Sequence, residues 1–172
     1  LATSRLAEAA VADVAPAAPA GPVVSSLAYE DIVERAGEMA GDVETGRRIF
    51  EQQGCVACHT TAPDEQEKGP PLGGILTRYS EAEVLESILR PNARVAQGFA
   101  TNTFTMTDGR QLVGFVVREG QDDVVVRDLA GTETILLKAQ VEERGVLAES
   151  TMPPGLVDNV SLGDLASLLA FL

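Results

Sequence analysis

Residues 54–61 read GCVACHTT. They hold both cysteines of the 172-residue chain, Cys55 and Cys58, and its one histidine, His59. Two thiols and one imidazole fall within five positions, and no second Cys or His stands elsewhere to complete an all-protein N/S metal site. What this cluster binds decides how the flanking segments must be arranged.

C-x-x-C-H is the attachment signature of c-type haem. The two thiols add across the two porphyrin vinyl groups, and the adjacent imidazole becomes the proximal ligand of the iron. Three other readings stand beside it. A structural zinc site takes four ligands, and the chain offers three plus a carboxylate. A thioredoxin-like dithiol sits at a helix N-terminus in a βαβ setting, whereas this motif follows a helical pattern. A Cys55–Cys58 disulfide leaves His59 without a role. Haem uses all three side chains.

Working outward, Asp42 is an N-cap for a helix with Val43, Gly46 and Phe50 on one face, ended by Gly54. The loop EKGPPLGG is too rich in Pro and Gly for a helix. Ser80 to Glu83 is a capping box, opening a helix that buries Val84, Leu85, Ile88 and Leu89 and stops at Pro91. The period then changes from helical to alternating. Residues 101–107, 111–118, 123–129 and 132–137 read as strands, separated by the turn signals Asp108-Gly109, Glu119-Gly120 and Ala130-Gly131. They predict a small antiparallel β insert over about residues 100–140. Ser161 to Asp164 is a second capping box, opening a helix with Leu162, Leu165, Leu169 and Leu172 on one face.

Upstream, residues 1–26 have the Ala/Pro composition of a linker, with a short helix over 4–14. Residues 27–40 place Ala28, Ile32, Val33 and Ala36 at helical spacing. Composition therefore divides the chain into a tail, 1–40, and a domain, 41–172. The chain starts at Leu1 rather than Met, which predicts a processed protein or a portion of a longer one.

The order Gly46, Phe50, Cys55, Cys58, His59, Gly69-Pro70-Pro71-Leu72-Gly73-Gly74 and a leucine-rich closing helix resembles class I cytochrome c. The resemblance implies a mainly α cytochrome c fold, here α+β overall because of the insert. It implies that the first and last helices cross at Gly46 and Phe50. It implies that the Pro70 carbonyl accepts the His59 Nδ1–H, and that Arg78, nine positions after Gly69, meets a haem propionate. The sixth ligand is assigned to Met152, in the loop STMPPGL, where Pro153 and Pro154 limit chain freedom. Met39, Met106, Lys68 and Lys138 are its competitors. Thioether ligation raises the potential. Leu72, Ile75 and the helix leucines are expected to keep water from the haem. The run of ESILRPNARVAQGF, TMTDGRQLVGFVV, VVVRDLAGTETILL, STMPPGL and DLASLLAFL further resembles the c-haem domain of the Pirellula/Verrucomicrobium type, over roughly residues 43–172.

These readings predict a monohaem one-electron carrier with one covalent haem c in an extracytoplasmic compartment such as the periplasm. Acids outnumber bases 26 to 13. That charge argues against nucleic acid and anionic membranes, and for redox partners with a basic docking patch. No apolar run approaches the ~18 residues of a membrane span. Two alternatives are a haem-bearing docking subunit of a respiratory, photosynthetic or dehydrogenase assembly, contacted through residues 1–40, and an open-site, peroxidase-like enzyme. The second has no distal acid–base histidine to use.

Overall fold

The computed structural model describes residues 21–172. The short helix read over 4–14 lies outside the described residues. Among those described are four α-helices, α1 (Tyr29–Glu38), α2 (Val43–Gln52), α3 (Glu81–Leu89) and α4 (Leu162–Phe171). Five strands lie between α3 and α4: β1 (Thr101–Met106), β2 (Gln111–Glu119), β3 (Asp123–Arg127), β4 (Glu133–Leu137) and β5 (Val141–Val146).

The helical core is built on α4, which buries Leu162, Leu165, Leu168 and Leu169. Leu85 of α3 and Leu165 are fully buried, and each such side chain is worth about 1.5–3 kcal/mol relative to exposure. α2 crosses α4 at a contact that only glycine permits. A Cβ on Gly46 would overlap the Ser167 carbonyl oxygen. Phe50 then stacks on Phe171 with ring centroids 5.5 Å apart. The N-cap of α2 forms as its sequence implies, with Thr45 N–H donating to Asp42 Oδ1 at 2.8 Å. Val43, placed by periodicity on the buried face, is 56% exposed at the first position of the helix, and Gly46 and Phe50 are the buried residues of that face.

The compositional boundary near residue 40 is not a packing boundary. Ile32 and Ala36 of α1 and Val24 before it belong to the helical core. Val24 N–H donates to the Val160 carbonyl at 2.9 Å, and Leu162 N–H to the Pro22 carbonyl at 3.1 Å. These bonds pin the segment before α1 to the start of α4.

Both predicted caps form, in different ways. At Ser80 the box is reciprocal: Glu83 N–H donates to Ser80 Oγ at 3.3 Å and Ser80 N–H to Glu83 Oε2 at 2.9 Å. At Ser161 only the forward bond is made, from Asp164 N–H at 3.1 Å. The shorter Asp164 side chain accepts from the Ser161 hydroxyl, at 2.8 Å, instead of from the backbone.

The sheet is antiparallel throughout, in the order β4-β3-β2-β1-β5. It extends beyond the predicted insert by one strand, β5, which pairs with β1. Its edges, β4 and β5, are joined by only Lys138–Gln140. A flat five-stranded sheet would set its outer strands ~19 Å apart, whereas the link from Leu137 to Val141 reaches at most ~15 Å. The sheet therefore curls, aided by register shifts at Thr105/Met106 and Val116/Arg118. Its concave side encloses Phe104, Met106, Val124, Val126 and Leu136, a core separate from the helical one. Leu147 N–H donates to the Thr101 carbonyl at 2.8 Å, so the strand-rich segment leaves where it entered.

Candidate haem-binding site

α2 ends at Gly54, whose φ of 76° lies in the left-handed region that side chains disfavour. The chain then makes one tight turn, with Cys58 N–H and His59 N–H both donating to the Cys55 carbonyl, at 3.1 and 2.9 Å. That turn is what the spacing of two residues between the thiols produces. Both thiols are free. Cys55 is half-buried against the helical core and Cys58 is exposed. Burial pushes the Cys55 thiol up from its ordinary value, opposite to the activated thiolate of a redox dithiol. Among the described residues no group of three or more His, Cys, Asp and Glu side chains converges on a metal position.

The chain leaves His59, loops out, and returns to it. Gly69 N–H donates to the Cys58 carbonyl and Leu72 N–H to the Thr60 carbonyl, both at 2.8 Å. The close return needs small residues: a Gly69 Cβ would stand 3.0 Å from the Cys58 oxygen, and a Gly73 Cβ would overlap the Thr61 carbonyl. The return brings the Pro70 carbonyl to 2.7 Å from His59 Nδ1. With Nδ1 as the donor in that bond, Nε2 is the nitrogen left to bind a metal. Burial holds the imidazole below its ordinary value, against the opposing effect of the Pro70 bond, which keeps it neutral and able to ligate.

Of the remaining predicted residues, Ile75 is buried in the helical core and Leu72 packs against it. Arg78 is exposed and its guanidinium donates to the Pro71 carbonyl at 3.3 Å. Met152 is half-buried on the loop before α4, its N–H donating to Ser150 Oγ at 3.1 Å. Ser150 N–H in turn donates to Asn92 Oδ1 at 2.8 Å, tying that loop to the turn after α3. Of the competing ligands, Met106 is 1% exposed inside the sheet. Lys138 pairs with Glu119 at 3.0 Å, and Lys68 donates to the Ala57 carbonyl at 3.3 Å. Met39 packs its methyl group over Gly163. A cavity of about 220 Å³ borders Cys58 and His59, with Val56, Gln66 and Lys68 among its walls.

Sequence reading missed Asn92, Gln66, Glu67 and Arg127. Arg127 meets Glu67 across 60 residues of chain, and no local pattern announces such a pair.

Two free thiols one turn apart, beside an imidazole whose Nδ1 is already committed, fit covalent haem attachment. Residues 43–116 match the family model for Cytochrome c. The match supports a c-type cytochrome, and with it haem-based electron transfer and covalently bound haem c. It covers α2, the cysteine turn, the glycine-rich loop, α3, β1 and the first part of β2. No curated protein matches the chain with significant similarity. Cytochrome c proteins are generally electron carriers rather than enzymes, and their domains are typically extracytoplasmic. Among the described residues no helix is long and apolar enough to cross a membrane.

Proposed function

We propose that this protein is a monohaem one-electron carrier of the Pirellula/Verrucomicrobium type. Cys55 and Cys58 would hold the haem through thioethers, and His59 and Met152 would ligate its iron. The observation that carries this reading is the His59 Nδ1 to Pro70 carbonyl contact at 2.7 Å, beside two free thiols. Bound haem supplies a one-electron couple whose potential follows the axial ligands and the surrounding burial. The protein's share is to fix and exclude. Pro70 holds the imidazole tautomer, Leu72 and Ile75 keep water out, and the Met152 loop stays in place through Ser150 and Asn92. Arg78, whose guanidinium donates to the Pro71 carbonyl, would be the residue to meet a haem carboxylate.

Met152→Ala tests the assignment. The ferric near-infrared band of a methionine–iron bond should vanish, the potential should fall, and ferrous protein should bind CO at neutral pH. A variant with an unchanged band and potential removes Met152 as ligand. A wild-type protein that itself binds CO readily supports the open-site enzyme instead.

Charge supports the choice of partner. With a formal net charge of −13, encounter with a basic redox protein should be fast and should slow as salt rises. The docking-subunit reading draws support from Ile135 and Val146, apolar and each 64% exposed on the sheet. An extracytoplasmic site of action accompanies either reading, since haem c is attached there.

A further inference from the structure

The helical and sheet cores share no buried residue. Apart from the local bond from Asn102 Nδ2 to the Ala100 carbonyl at 2.8 Å, two side-chain polar ties among the described residues join the strand-rich segment 101–147 to the rest of the protein. Arg127 Nη1 meets Glu67 Oε2 at 2.8 Å, and Gln66 Nε2 donates to the Gly131 carbonyl at 3.0 Å. The two ties reach adjacent residues, Glu67 and Gln66, near the far end of the loop that leaves His59 and returns at Gly69.

We propose that Arg127 is a positioning residue for His59: the curled sheet grips the 60–68 loop and so holds the His59–Pro70 pair. The grip is built from both sides. On the sheet side, Arg127 is mostly buried, and its fork also binds Glu133, with Nη2 at 2.8 Å and Nε at 3.2 Å. A planar guanidinium presents its donors in a fixed fork, so it holds two carboxylates in set directions, whereas a lysine ammonium is a rotatable point charge. Beside it, Gly131 has φ +88°, and a Cβ there would stand 2.9 Å from Gln66 Nε2. Glycine thus serves both the β3–β4 turn and the approach of the loop. On the loop side, Glu65 accepts from Thr61 and Ala62 N–H at 2.7 and 3.0 Å, which ties its first turn to Glu65 itself. With that turn tied inward, movement of residues 66–67 is passed to the neck at Thr60 and Gly69, next to His59.

The part of this inference that concerns the haem potential rests on His59 being the proximal ligand; the grip does not. Each tie is modest alone, so the expected consequence is local. Loss of contacts of this size changes an opening equilibrium about fivefold.

The experiment compares Gln66→Ala/Glu67→Gln, which cuts both ties, with Glu133→Gln, which cuts only the bond within the sheet. Amide hydrogen exchange is followed at Gly69 and Leu72, together with the reduction potential of the haem. The double variant should speed exchange at both amides about fivefold. It should also raise the potential, because a less firmly hydrogen-bonded imidazole is a weaker donor to ferric iron. Glu133→Gln should leave both readings near wild type. Unchanged exchange in the double variant overturns the grip. Equal acceleration in Glu133→Gln overturns it too, since that would be loosening of the sheet. If the purified protein lacks thioether-bound haem in the pyridine assay, the haem reading fails while the exchange comparison still decides the grip. Faster exchange with an unmoved potential overturns Arg127 as a positioning residue for His59.

Discussion

Gly46 has no side chain, and that is its contribution. A methyl group there would overlap the Ser167 carbonyl and stand 2.8 Å from Phe171 Cβ, so α2 and α4 would have to part. Gly46→Ala should cost about 3 kcal/mol, at the upper end of overpacking penalties. The check is the denaturant midpoint at an unchanged slope. Cys55, Cys58 and His59 are legible in the sequence because they fall at fixed offsets within one turn; periodicity sets Gly46 and Phe50 on one face, and only the resemblance makes them a helix crossing. The Pro70 contact was legible only through resemblance, and the structure places the two groups at 2.7 Å. Arg127 was illegible. Within its strand it reads as one more charged side chain near a turn, and its role comes from a loop 60 residues earlier.

At the scale of elements, caps and turns were the readable features, since their chemistry is local. Ser161 is 3% exposed and supplies the one side-chain cap of α4. Ser161→Ala should therefore lower stability by about 1 kcal/mol, seen as a lower thermal midpoint. The matching change at Ser80 disrupts a reciprocal pair instead, but on an exposed helix start. β5 escaped sequence reading for a physical reason. VEERGV carries Glu142, Glu143 and Arg144 in succession, which hides any alternation. An edge strand tolerates this, since charge along a free edge discourages pairing with other chains. Arg144 even finds partners there, donating to Asn102 Oδ1 at 3.2 Å and pairing with Glu119 at 2.9 Å. α1 was read correctly as a helix, but composition placed it with the tail, because two buried residues, Ile32 and Ala36, are too few to signal a packed face.

For the whole molecule, acidity works in two directions. Glu65 and Glu83 sit below their ordinary value of 4.5 because backbone N–H groups donate to them, and Asp42 sits below its 3.8 through its bonds with Thr45. Between the folded and ordinary values the unfolded chain binds more protons, so stability rises with pH there. It is fully present above the ordinary values and is lost as pH falls through the folded ones. Protonation also relieves the repulsion of a −13 chain, which softens the loss. The expected profile is flat above pH 5 and declining below 4.5, measured by denaturant midpoints across pH 3 to 7. A midpoint that rises on acidification would mean that repulsion outweighs the hydrogen-bonded carboxylates.

The single bond from Leu147 N–H to the Thr101 carbonyl makes the sheet a parenthesis in the chain. Its two ends are already neighbours, so one short link from Thr101 to Leu147 could replace residues 102–146, at the cost of the Arg127–Glu67 and Gln66–Gly131 ties and of the Phe99–Phe115 ring contact. A chain shortened in this way should keep the helical core, which shares no buried residue with the sheet, and lose the grip on residues 66–67.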